Sequence, residues 1–190
     1  MWMKSEDELV EKVLKRDHAS FELLLQPHRQ GLLNMAYRMT GNLEEAKEVC
    51  QEALIKIYRY LNKFKKGKNF KSWIYKITLN STYDFLRRKK KYDDIVESQK
   101  GVLPVVGPDP ERQLMNREIK EKIEASLQNL SPKEKAVFLL RDGEGFSVEE
   151  TSEVLGSSSI SVRTHLSRAR QKIRAQFEKI GLAGKREVKG

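Results

Sequence analysis

One cysteine, five prolines and three histidines are all that this 190-residue chain offers of the residues that staple, break or cage a fold. Cys50 alone forms no internal disulfide, and no cysteine cluster exists to hold zinc. His18, His28 and His165 show no close metal-ligand spacing, so no metal or cofactor is expected. Aromatics make up 8% of the residues and glycines number 11, which favours helical layers over a β-sandwich. The opening MWMKSEDELV has no apolar core of signal-peptide length. No run approaches the roughly 18 apolar residues of a membrane span. A reducing, cytoplasmic setting without membrane insertion is the expectation. No phosphate-cradling glycine loop and no Ser/Cys–His arrangement is visible, which argues against an enzyme.

What the chain has is positive charge, and it is concentrated. The net charge is +10 and the pI about 9.6. Between Lys63 and Tyr92 stand eleven Lys or Arg against one acid, Asp84, so this stretch alone equals the net charge of the whole. Phe64, Phe70, Trp73, Tyr75, Tyr83, Phe85 and Tyr92 lie among the cations. Cations interleaved with aromatics suit a ligand that has phosphates and stackable bases. A basic pI that serves only solubility would spread its charge.

Periodicity is helical nearly throughout. A short helix is predicted over 5–15, with Leu9, Val10, Val13 and Leu14 on one side, and a second from Asp17, interrupted at Pro27. Gly41-Asn42 reads as a stop followed by a cap, with Glu45 placed for a capping box. The helix from Leu43 to about Leu61 buries Ala46, Val49, Cys50, Ala53, Leu54, Ile57, Tyr58 and Leu61. A basic loop follows over 62–69, then a helix from about Lys71 to Lys90. Residues 93–111 hold three prolines and two glycines and read as a flexible linker. The expected organisation is all-α: a domain over 1–92, the linker, a second helical domain over 112–182 beginning with a helix at 112–127, and a frayed tail over 183–190.

Within the second domain, Ser131-Pro132 opens one helix and Ser147, with Glu150, opens a short one that stops at Gly156. A turn of serines leads to a final helix over about 159–180. A short helix, a glycine-bearing turn and a longer helix read as a helix-turn-helix. On the last helix Val162, Leu166, Ala169, Ile173 and Phe177 share one side, and Ser161, Thr164, Ser167, Arg168 and Gln171 the other. Arginine and small hydroxyls reach base edges in a major groove, and flanking cations hold phosphates. An ordinary amphipathic helix with a solvated basic face is the competing reading, although such faces usually mix signs. A conventional regulator that binds duplex DNA without polymerase would explain 131–178 but leave the basic aromatic domain idle.

Several motifs together resemble one family. Ala46-Lys47-Glu48-Val49-Cys50-Gln51-Glu52 resembles A-E-D-L-V-Q-E. Phe70 through Asn80 resembles F-x-x-W-L-Y-R-I-A-x-N, and Asp84 with Arg87–Lys91 matches D-x-x-R-R-x-K. Ser147 through Gly156 resembles S-Y-E-E-I-A-E-I-L-G, and Ser161 through Arg170 resembles T-V-K-S-R-L-x-R-A-R. In order and at this spacing, they are similar to the extracytoplasmic-function (group IV) sigma factors of bacterial RNA polymerase. Lys47, Glu48, Ile160 and His165 depart from the pattern.

The resemblance implies a factor that binds core polymerase and directs initiation by reading −35 and −10 elements and helping to open DNA. It implies core binding, on the β′ clamp helices, through Glu48, Gln51 and Glu52, with the β flap as a further polymerase contact. It implies −10 contacts from Lys66, Lys68, Phe70, Trp73, Asn80, Arg87 and Arg88, with the 62–72 loop taking a flipped base. It implies −35 contacts from Arg163, Thr164, Ser167 and Arg168. Core polymerase, promoter DNA and an anti-sigma factor are the implied partners.

Overall fold

The computed structural model describes residues 6–97 and 126–179, and every regular element among them is helical. The first unit comprises α1 (Glu6–Leu14), α2 (His18–Leu25), α3 (Arg29–Thr40), α4 (Leu43–Tyr60) and α5 (Phe70–Glu97), with a 3-10 turn at Leu61–Lys63. The second comprises α6 (Pro132–Phe138), a π turn at Leu139–Gly143, α7 (Val148–Leu155) and α8 (Ser159–Lys179). Residues 98–111 of the expected linker, 112–125 of the expected helix, and the tail lie outside the described residues.

Local chemistry sets the boundaries. The Asp17 carboxylate accepts from the Ser20 N–H and begins α2. Pro27 falls between α2 and α3, so it breaks the chain into two helices rather than kinking one. Gly41 ends α3 in the left-handed region, and Asn42 Oδ1 accepts from the Glu44 and Glu45 N–H groups at 2.9 and 3.1 Å. No reciprocal bond from Glu45 closes a box there; its carboxylate instead takes the Lys89 ammonium from α5. Reciprocal boxes do form at Ser131–Glu134 and Ser147–Glu150.

Two expectations differ at the edges. Composition changes at Asp93, yet α5 continues to Glu97, five residues into the stretch read as linker. No glycine or proline intervenes before Gly101, and Asp93 and Asp94 follow Lys89 and Lys90 at favourable four-residue spacing. Leu14 and Tyr58, expected inside, are 49% and 39% exposed. Leu14 is the last residue of its helix. Tyr58 stacks on His18 with ring centroids 5.7 Å apart and meets Phe21 edge-on, so its ring is covered on the surface rather than in the core.

α4 packs between α3 and α5. Ala46, Val49 and Ala53 are buried on its inner face, and small residues there let the helices approach closely. α5 contributes Phe70, Ile74, Tyr75 and Leu79. Its Thr78 and Thr82 are also fully buried, their hydroxyls satisfied by the carbonyls of Ile74 and Thr78. In the second unit Val137, Val162 and Leu166 form the seam that sets α8 against α6.

The two units share one core. Tyr75 of α5 meets Phe146 edge-on at 5.0 Å, and the largest buried cluster runs from Leu9, Leu25 and Phe70 to Leu139, Leu140, Phe146 and Val154. Such an aromatic pair contributes about 0.5–1.5 kcal/mol beyond the area it buries.

Arg16, between α1 and α2, has φ +69°, a left-handed conformation in which a side chain is strained. Arg16→Gly should therefore raise stability by about 0.5–1 kcal/mol in urea unfolding, whereas Gly41→Ala should lower it by about 1 kcal/mol. Equal, near-zero shifts in both would show that neither turn holds its left-handed residue under load.

Candidate nucleic-acid interface

The first face is the outer side of α8. The helix-turn-helix comes from α7, a left-handed Gly156 (φ +59°) and the following serines. The Ser157 N–H returns to the Ser152 carbonyl at 3.0 Å and Ser158 Oγ accepts from the Ser161 N–H, which fixes where α8 starts. Val162, Leu166 and Ala169 are buried beneath. Arg163, Thr164, Ser167 and Arg168 are all exposed, side by side over the first turns of α8. Thr164 returns its hydroxyl to the Ile160 carbonyl, and Arg163 lies 3.7 Å from the Glu149 carboxylate. Arg170 is held differently, by a two-pronged bond to Asp142 at 2.6 and 2.8 Å.

The second face is built by the 62–72 loop and the start of α5. Asn69 caps the helix, its Oδ1 accepting from the Ser72 N–H at 2.9 Å. Phe64, Phe70 and Trp73 form a triangle of rings with centroids 5.3–6.0 Å apart. Phe70 is the buried corner at 0% exposure, which corrects its expected role: no base can stack on a ring enclosed by Phe64, Trp73 and His28. Trp73 is half-buried and turns one side to a cavity of about 470 Å³. Lys63, Lys65, Lys68, Asn69, Ser72 and Lys76 line the rest of its first-unit wall. Ser72 Oγ is buried without a hydrogen-bond partner.

The other expected −10 residues are dispersed along the unit. Lys68 is exposed at the cavity, whereas Lys66 pairs with Glu11 of α1. Asn80 is exposed one turn further along α5. Arg87 pairs with Asp84 at 2.6 Å, and Arg88 with Glu52 at 2.9 Å. Burial of the Tyr83 phenol pushes its pKa up to about 12, and its hydroxyl donates to the Pro132 carbonyl.

A third region lies on α4. Glu48 and Gln51 are exposed. Glu52 is drawn inward: Lys56 and Arg88 bond its carboxylate and hold it below the usual carboxylate range. Beside Gln51 runs an apolar groove of about 280 Å³ lined by Leu32, Leu33, Cys50 and Leu54, with Arg29 and Lys47 at its rim. Burial pushes the Cys50 thiol up to about 11.

The second unit completes the 470 Å³ cavity with Glu153 and Val154 of α7. Tyr75 donates to the Glu144 carboxylate at 2.5 Å, and burial together with that carboxylate holds its phenol far above the ordinary range. Lys71 donates to the Glu144 carbonyl at 2.7 Å and sits 4.6 Å above the Phe146 ring. Asn69 and Lys76 donate to Glu150 Oε1 and the Glu153 carbonyl. Asn69 and Glu144 have no site role in the sequence pattern, and Tyr75 stands there only as one aromatic among the cations. Asn69 carries a local sign, an Asn three residues before Ser72 at a helix start, but the Tyr75–Glu144 pair spans 69 positions and leaves none.

The comparisons agree with this two-unit arrangement. Residues 24–92 match the model for Sigma-70 region 2, and residues 120–173 that for Sigma-70, region 4. RNA polymerase sigma factor YlaC of Bacillus subtilis is 30% identical over 161 residues, covering 84% of this chain and 93% of its own. ECF RNA polymerase sigma factor SigE of Mycolicibacterium smegmatis is 29% identical over 161 residues; the match takes in 84% of this chain and 62% of that relative's length. Among solved structures, the sigma factor RpoE in complex with the anti-sigma factor NepR from Bartonella quintana has the same fold, with a TM-score of 0.70 at 20% identity over 83% of this chain and 96% of that one. With one helical unit matched to region 2 and a helix-turn-helix unit matched to region 4, the chain belongs to the extracytoplasmic-function group of sigma-70 factors, the promoter-recognition subunits of RNA polymerase.

Proposed function

We propose that the two faces divide one promoter between them: α8 reads duplex DNA at the −35 element, and the 62–72 loop with the start of α5 receives a strand of the −10 element. The observation that carries this is the outer side of α8, where Arg163, Thr164, Ser167 and Arg168 stand exposed on a helix whose other side is buried. Arg163 and Arg168 suit guanine edges or phosphates, and the two hydroxyls reach either base edge. On the second face Trp73, Lys68 and Asn80 take the base and its backbone. Stacking on an aromatic contributes roughly 1–3 kcal/mol per base, enough to offset much of the few kcal/mol lost on flipping it out. Core polymerase docks on α4, with Glu48 and Gln51 beside the apolar groove as the contacts and Glu52 acting by holding Arg88 and Lys56. The chain supplies no chemistry of its own; catalysis belongs to the core enzyme. It works in the cytoplasm. An anti-sigma protein is a natural partner, since the structural relative RpoE was solved with one.

Run-off transcription with core polymerase should give discrete starts that depend on this chain, and none would remove the reading. Arg168→Ala should cost about 1–3 kcal/mol and relax preference at one −35 position. A loss equal for all sequences would make Arg168 a phosphate contact instead. Asn80→Ala should reduce permanganate reactivity of −10 thymines while leaving duplex binding intact; an undiminished bubble would remove Asn80 from the site. Glu48→Ala with Gln51→Ala should weaken co-purification with core polymerase by at least about tenfold, a loss of about 1.4 kcal/mol. The same docking should protect Cys50: with its pKa near 11, only about one thiol in a thousand is thiolate at pH 8, and bound core should slow its alkylation further.

A further inference from the structure

We propose that residues 144–154 of the second unit are an internal lid for the strand cavity, so that closure of the two units and entry of a single strand exclude each other while the duplex-reading side of α8 stays open. The proposal rests on the strand-binding role given to that cavity above.

The contacts are chemical substitutes for a nucleic acid. Over one stretch, 69–76, four donors of the first unit meet acceptors from 144–153. Asn69 meets the Glu150 carboxylate at 2.6 Å, Lys71 the Glu144 carbonyl at 2.7 Å, Tyr75 the Glu144 carboxylate at 2.5 Å, and Lys76 the Glu153 carbonyl at 3.2 Å. Phosphate oxygens would make the same kind of bond to the lysines and the amide. The Phe146 ring beneath Lys71 occupies the place of a base on a cation. Glu153 and Val154 then cover one side of the cavity that Trp73 borders.

The fit is built into the first unit as well. Gly31 of α3 faces the Tyr75 hydroxyl and the Glu144 carboxylate, and any Cβ there would overlap the hydroxyl and crowd the carboxylate. The π turn at Leu139–Gly143 serves the same contact. Its extra residue per turn brings the Glu144 N–H back to the Leu139 carbonyl and ends the helix where Glu144 meets Tyr75 and Lys71. By contrast Arg163, Thr164, Ser167 and Arg168 remain exposed in the closed arrangement. A free factor therefore presents its −35 reader and restricts access to the Trp73 side of its −10 reader, while Lys68 and Asn80 stay exposed.

The test uses the full chain without polymerase. Spin labels at Glu22→Cys and Glu178→Cys, with Cys50→Ser, report the separation of the units. The binding probes are a fluorescein-labelled oligothymidylate of about 12 nucleotides and a mixed-sequence duplex of about 30 base pairs. Wild type should give one narrow distance distribution. Glu144→Ala should broaden it and tighten oligothymidylate binding about tenfold, as expected if roughly nine molecules in ten are closed. Duplex binding should stay within about twofold. Tyr75→Phe, which changes no charge, should move both readouts in the same direction. A broad wild-type distribution would overturn the lid, as would variants that open yet bind the oligothymidylate no more tightly. Failure of chain-dependent run-off transcription would instead count against the sigma-factor reading and leave these two readouts unaffected.

Discussion

A phenol carried into a protein core must find an acceptor for its proton, and Tyr75 finds one in the other half of the chain. The ring is 1% exposed, packed edge-on to Phe146, and its hydroxyl ends on the Glu144 carboxylate. An unmet hydroxyl there would cost about 1–3 kcal/mol. The bond thus fixes more than one contact. It places Glu144, which places the carbonyl that Lys71 uses, and it brings α7 over the start of α5. In this arrangement a polar group at the junction of the two matched regions has its partner across it.

Charge is arranged on the same principle. The net charge of +10 lies almost wholly within one stretch, and the folded chain brings acids from elsewhere to its members. Glu11 meets Lys66, Glu45 meets Lys89, and Glu52 meets Arg88. Most of these pairs are exposed and each contributes little to stability, about 0–1 kcal/mol. Their importance is in exchange: a cation held by an exposed acid can pass to a phosphate with little net cost in free energy, and release of counterions then favours the nucleic acid. Arg170, gripped on two prongs by Asp142, is the member of α8 least free to do so.

How much of this was legible in the sequence depends on the range of the interaction. Most caps, the stops and the break at Pro27 are decided within four or five residues and read correctly because their chemistry is local. The box expected at Glu45 fails because Lys89, 44 positions away, takes its carboxylate. The buried stripe Val162, Leu166 and Ala169 follows from helical period alone. The −10 contact that the resemblance implies for Phe70 carries no sign of its burial, and only the packing of Phe64, Trp73 and His28 shows that the ring is enclosed. The resemblance groups Glu52 with Glu48 and Gln51 as core-binding residues; its inward turn depends on Arg88, 36 positions away. α5 runs past the expected start of the linker because residues 93–97 hold none of the prolines and glycines on which the linker is read.

Gly31 has a consequence beyond its own turn of helix. The space it leaves is filled by atoms from both units, the Tyr75 hydroxyl and the Glu144 carboxylate, so this position registers how the halves of the molecule meet. On α3 this one position decides whether the halves can nest in this way. Glycine permits the halves to nest in this way; alanine or anything larger demands another arrangement. A property of the whole molecule, whether it can shut, is thereby written where a single hydrogen stands in for a side chain.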